Sequence, residues 1–188
     1  MTLVKYLRIL VYLTVASLVN SIFDFLPFVP AVITFWATKF ITVATALCLF
    51  RLSGWSKRYQ LAGIFRSITF GCSLLTLLLP GPAILRVAVT IFSIPAVYME
   101  YSAHAEITKK EDTALCGKWR SLFYWELAAA TFLSLGSAVT AILLVSSQLQ
   151  TDASTVSGIV FFLLKAPQFA LRVVRLLYLH KMIAFFHS

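Results

Sequence analysis

The sequence predicts an all-α, polytopic integral membrane protein with six transmembrane helices arranged as three hairpins and both termini in the cytoplasm. Three observations lead there. The first is composition: of 188 residues, 60% are hydrophobic and only 12% charged, and the mean hydropathy is +0.90. A soluble domain of this size would leave much of that apolar surface in water. The second is that the apolar residues fall into six runs, each close to the roughly 20 residues that a spanning helix needs. The third is that lysine and arginine occupy alternate gaps between the runs. Lys5 and Arg8 precede the first run, and Arg51, Lys57 and Arg58 separate the second from the third. Lys109, Lys110, Lys118 and Arg120 separate the fourth from the fifth, and Arg172, Arg175 and Lys181 close the sixth. The gaps around Asp24–Pro30, Pro80–Ala83 and Gln148–Thr155 contain no lysine or arginine. The positive-inside bias assigns the basic gaps and both termini to the cytoplasm.

The expected spans are 6–26, 29–50, 61–80, 83–105, 119–147 and 156–180, forming one domain over 1–188 with a cytoplasmic loop at 106–118. The first run follows a basic N-terminal segment, as in a signal peptide. No Ala-x-Ala site follows near Asn20–Asp24, so it reads as a retained helix. Pro27 and Pro30 turn the chain into the second span, and Pro80, Gly81 and Pro82 turn it into the fourth. Trp55 and Tyr59 before the third span, and Trp119, Tyr124 and Trp125 at the start of the fifth, read as interface anchors. In the inner loop, Thr108-Lys109-Lys110-Glu111 fits a capping box for a short helix that Gly117 would end. The last hairpin turns through the polar stretch Ser146–Thr155. Pro95 and Pro167 interrupt the fourth and sixth spans near their middles, and broken helices line the substrate site in many transporters.

The net charge of +9 follows from topology. Twelve of the sixteen basic residues lie in or beside the expected cytoplasmic segments, where they meet anionic headgroups. No basic soluble module exists to bind nucleic acid. The cysteines Cys48, Cys72 and Cys116 form no CxxC pair, and their odd number argues against a disulfide framework.

Polar residues recur at helical spacing in every span. The first carries Thr14, Ser17, Ser21 and Asp24; the second carries Thr34, Thr38, Thr42 and Thr45; the third carries Arg66, Thr69, Ser73 and Thr76. Small and hydroxylated residues let membrane helices pack closely, and the same stripes can line a solute path. Ionisable residues bear on that choice, because each is costly in lipid. Asp24 and Arg86 share an outer depth. Glu100, His104 and Glu126 form a polar cluster toward the cytoplasmic face, where Arg66, Arg172 and Arg175 also lie, and Glu100 or Glu126 with Arg172 reads as an ion pair. Lys39 and Lys165 lie near mid-span with no carboxylate at matching depth. Such a lysine must snorkel, lose its proton or find an anion. The last option gives a site for a small anionic solute built from Lys39, Lys165, Gln168 and Arg172.

Glu100 and His104 sit one helical turn apart, as in half of a metal site, but the other half has no matching spacing. No metal, cofactor or catalytic residue is assigned. In size, span number and inward termini the chain resembles the substrate-binding subunits of energy-coupling-factor importers, which implies solute binding within the bundle. In size and span number it also resembles the membrane peptidases that process quorum-sensing peptides, which implies a dyad of His104 and Cys116. The leading expectation is a transporter, or an embedded binding subunit for a small anionic solute, in the plasma membrane. The alternatives are a non-catalytic regulatory or assembly subunit of a membrane complex, and an enzyme acting at the cytoplasmic face.

Overall fold

The computed structural model describes residues 3–23, 29–79, 83–146 and 153–187. They form six helices: α1 (Leu3–Phe23), α2 (Ala31–Leu52), α3 (Lys57–Leu78), α4 (Ala83–Thr108), α5 (Thr113–Ser146) and α6 (Ala153–His187). No strand occurs among the described residues. The turns at Pro27, at Pro80 to Pro82 and at Gln148 to Asp152 lie outside the described residues, as does Asp24. α1, α2 and α3 are each long and apolar enough to cross a membrane. α5 and α6, at 34 and 35 residues, run beyond the spans expected from hydropathy.

Each helix packs against the next in sequence, and α6 packs against α1, so the six close into a ring. Side-chain contacts give the direction of travel. Asn20, late in α1, meets Thr34 and Thr38, early in α2, while Cys48, late in α2, meets Tyr6, early in α1. The two helices are therefore antiparallel. The same reasoning applies between α3 and α4, where Tyr59 meets His104 and Arg66 meets Glu100. Two glycines allow close approach between neighbouring helices. A methyl at Gly63 would stand 3.1 Å from the Phe50 ring, and one at Gly136 would run into the Leu164 side chain.

All six helices converge at one end, around Leu7, Leu10, Leu49, Leu52, Tyr59, Leu115, Trp119, Leu179 and Met182. This is the end that carries Lys5, Arg8, Arg51, Lys57, Arg58, Lys109, Lys110 and Lys118. Ser56 caps α3 by accepting from the Arg58 amide, and its hydroxyl donates to Glu106 of α4 at 2.8 Å. The polarity of the ring is inverted relative to a soluble bundle. Phe40, Leu78 and Ile84 are more than 70% exposed on the outside, while Glu100 and His104 are wholly buried.

Three local expectations are corrected. Thr108 does not cap a helix. It ends α4, where its hydroxyl donates to the His104 carbonyl at 2.7 Å, and the residues after it, 109–111, form a turn rather than a new helix. Asp112 caps α5 instead, accepting from the Leu115 amide at 2.9 Å, and Gly117 lies inside α5. Finally, Tyr59 and Trp119 are buried rather than anchored at an interface; both enclose His104. Trp55, Tyr124 and Trp125 do face outward.

Candidate functional site

The ring holds a cavity of about 240 Å³ bounded by α1, α2, α3 and α6. It stands directly on the converged end, sharing Leu10 with that core. From α1 it takes Leu13, Thr14, Ser17, Asn20 and Ser21, and from α2 it takes Thr38, Ile41, Thr42 and Thr45. Its charged lining, among the described residues, is Arg66 from α3 with Arg172 and Arg175 from α6. The helical period explains the α1 and α2 faces: positions 14, 17 and 21 share one side, as do 38, 42 and 45.

Behind two of these arginines lies Glu100. Its side chain is fully buried, and burying a carboxylate is costly unless it is paired. Arg66 donates to Oε2 from both Nε, at 3.1 Å, and Nη2, while Arg175 donates to Oε1. One carboxylate thus ties α3, α4 and α6 together and is shared by two guanidinium groups. The pair brings one positive charge more than the carboxylate it grips, at the cavity wall.

His104 lies one turn beyond Glu100. Its Nδ1 is 2.7 Å from the Tyr59 hydroxyl. Its Nε2 is 3.8 Å from Glu100, too long for a hydrogen bond, and has no hydrogen-bond partner among the described residues. Trp119 lies against the imidazole with ring centroids 4.5 Å apart. Tyr101, beside Glu100 in sequence, donates to Glu126 on α5 and presents its ring to Arg175. Of Glu100, His104 and Glu126, the first two are neighbours on α4, and Glu126 meets Tyr101 of the same helix.

The expected partner of Glu100 changes. Arg172 lies nearly one turn before Arg175 on α6 and reaches across to α1, donating to the Ser17 carbonyl and the Ser21 hydroxyl. Arg175 is the α6 residue level with Glu100. The other expected solute ligands are dispersed. Lys39 donates to Ser73 of α3 and holds its ammonium 4.6 Å from the Phe35 ring centre, in the seam between α2 and α3. It lies beside the threonine face rather than on it. Lys165 and Gln168 are half-buried on α6 and are not among the residues that line the cavity. Of the four, only Arg172 lines it. Asp24 and the Arg86 side chain lie outside the described residues.

Asn20, three residues beyond Ser17, belongs to the same face, and a period built on hydroxyl residues alone does not include it. Arg66 and Arg175 carried a usable signal, since their depth matches Glu100, whereas their common grip on it depends on how three helices are rotated. Cys116 is buried in the converged core, and no group of three His, Cys, Asp or Glu side chains fit to hold a metal occurs among the described residues. In comparisons with known proteins the chain matches no protein family, no curated protein and no solved structure.

Proposed function

We propose that this chain is a multi-pass membrane protein of the cell membrane whose helix ring binds a small anionic solute, in the manner of a transporter or its embedded binding subunit. The observation that carries the reading is the wall of the cavity: three arginines face a hydroxyl-lined space, and two of them share a single buried carboxylate. Guanidinium groups are the side chains best shaped to hold a carboxylate or phosphate by paired hydrogen bonds. A buried pair of them with surplus charge is expensive, and an anion in the cavity offsets that cost.

The membrane setting extends from α1–α3 to all six helices. α4, α5 and α6 have 26, 34 and 35 residues, longer than a bilayer crossing requires. Between Arg86 and Glu106 the one charged residue of α4 is Glu100, which is turned inward and paired, as intramembrane ionisable groups generally are. Six crossings with both termini in the cytoplasm place the converged, basic end of the ring on the cytoplasmic side.

A thermal-shift titration of the purified protein in detergent, with small carboxylates and oxyanions, tests the reading. Ligand at about 100 times its Kd stabilises by about 2.7 kcal/mol, and on a chain of this size each kcal/mol moves the midpoint by roughly 2–4 °C. At least one anion is expected to give a saturable shift of that order. Arg66→Gln should abolish it while the protein still folds, because Glu100 retains Arg175. A stable protein that no anion shifts would end this proposal.

A further inference from the structure

The hydrogen bonds around the cavity specify the ligand more narrowly than its charge does. A threonine oxygen within hydrogen-bond distance of a backbone carbonyl must be the donor, since the carbonyl has no proton. Thr14 donates to the Leu10 carbonyl at 2.7 Å, Thr38 to Thr34 at 2.9 Å, Thr42 to Thr38 at 2.8 Å and Thr45 to Ile41 at 2.7 Å. Each hydroxyl proton is therefore committed to the helix, and each oxygen offers the cavity only lone pairs. Asn20 is fixed in the same way. Its nitrogen faces the Thr34 carbonyl at 3.1 Å and the Thr38 hydroxyl oxygen at 2.9 Å, which leaves Oδ1 as a further acceptor.

The cavity thus has two chemically distinct walls. α3 and α6 supply guanidinium donors, and α1 and α2 supply a ladder of neutral acceptors. From Thr38 to Thr45 the ladder rises about 10 Å along α2, at 1.5 Å per residue. A plain carboxylate satisfies the first wall and leaves the second unmet. Acceptors whose own protons are committed favour a ligand that brings its own donors, and the four threonine hydroxyls present their lone pairs to the cavity.

We infer that the solute is a small zwitterion, an aminocarboxylate whose carboxylate is held by Arg66 and Arg175 and whose ammonium group rests on the acceptor ladder of Thr14, Thr42 and Thr45. The inference rests on the anion-binding reading above and deepens it. An ammonium provides three donors and a positive charge, matching the ladder in both number and sign.

Binding of matched ligand pairs to the purified full chain tests it, by thermal shift and by calorimetry. Alanine, β-alanine and γ-aminobutyrate are compared with propionate and butyrate, with lactate, and with propylamine. At least one aminocarboxylate is expected to bind tenfold or more tightly than its deaminated counterpart. Thr42→Val and Thr45→Val should each remove most of that advantage without changing the affinity for propionate, and Thr42→Ser, which keeps the oxygen, should restore it. Equal affinities within every pair of aminocarboxylate and deaminated counterpart would overturn the zwitterion and leave anion binding in place. Lactate binding as tightly as the tightest aminocarboxylate would overturn the ammonium assignment in favour of a hydroxy acid. Propylamine binding as well as the tightest aminocarboxylate would overturn the anion reading as well, and no binding by any of these compounds would overturn the zwitterion.

Discussion

Glu100 is the residue on which most of the interior depends. It is wholly buried, and it receives Arg66 from one neighbouring helix and Arg175 from another. Removing one side of a buried ion pair strands the other, and the cost is about 3–5 kcal/mol. Glu100→Gln keeps the shape and deletes the charge, so two guanidinium groups would face each other across a neutral amide. The expected result is a destabilisation of that size in thermal unfolding in detergent, well above the effect of a Gln substitution at exposed Glu111. A smaller loss would mean that the arginines find another counter-charge. Part of this arrangement was readable in the chain. Glu100 and His104 are four apart and so must share a helix face. The identity of their partners was not, because it depends on the rotation of α3 and α6. Tyr59 and Trp119 show why. An aromatic residue beside a basic segment has the same local signature whether it faces headgroups or closes over a buried histidine.

The helices themselves were more legible than their contacts. Hydropathy located all six to within a few residues at most ends, but it undershot α5 by six residues at its start (expected at 119, found at Thr113). The added residues, 113–118, follow the charged Asp112 and end at the charged Lys118, and the helix start is set by Asp112. Asp112 accepts from the Leu115 amide, and removing such a cap costs about 0.5–2 kcal/mol. Asp112→Ala should destabilise by about 1 kcal/mol in thermal unfolding, while Glu111→Ala, in the turn, should have almost no effect. Equal effects would mean that the helix start is held by packing around Leu115 and Trp119 instead. α2 illustrates the complementary gap. Its threonine period correctly marks one face, and Lys39 falls on another, but nothing in the period says which face meets the cavity and which meets α3. That is decided by the seam in which Lys39 finds Ser73 and the Phe35 ring.

The ring as a whole is organised by charge. Its basic residues gather where the helices converge, its ion pairs lie just above that end, and its outer surface is apolar. If the six helices all cross the bilayer, the gaps that lack lysine and arginine must lie on the opposite side from those that contain them. Site-directed labelling decides this directly. In a background with Cys48, Cys72 and Cys116 replaced by alanine, single cysteines are introduced at Val29, Gly54, Lys110 and Gln150. An impermeant maleimide applied to intact cells should label positions 29 and 150 and spare 54 and 110 until the membrane is opened. The reverse pattern would invert the orientation and put the converged end outside. Labelling of position 29 with protection of 150 would remove the last pair of crossings. Since α6 supplies Arg172 and Arg175, that outcome would also dismantle the anion site, so the topology experiment tests the binding proposal as well as the fold.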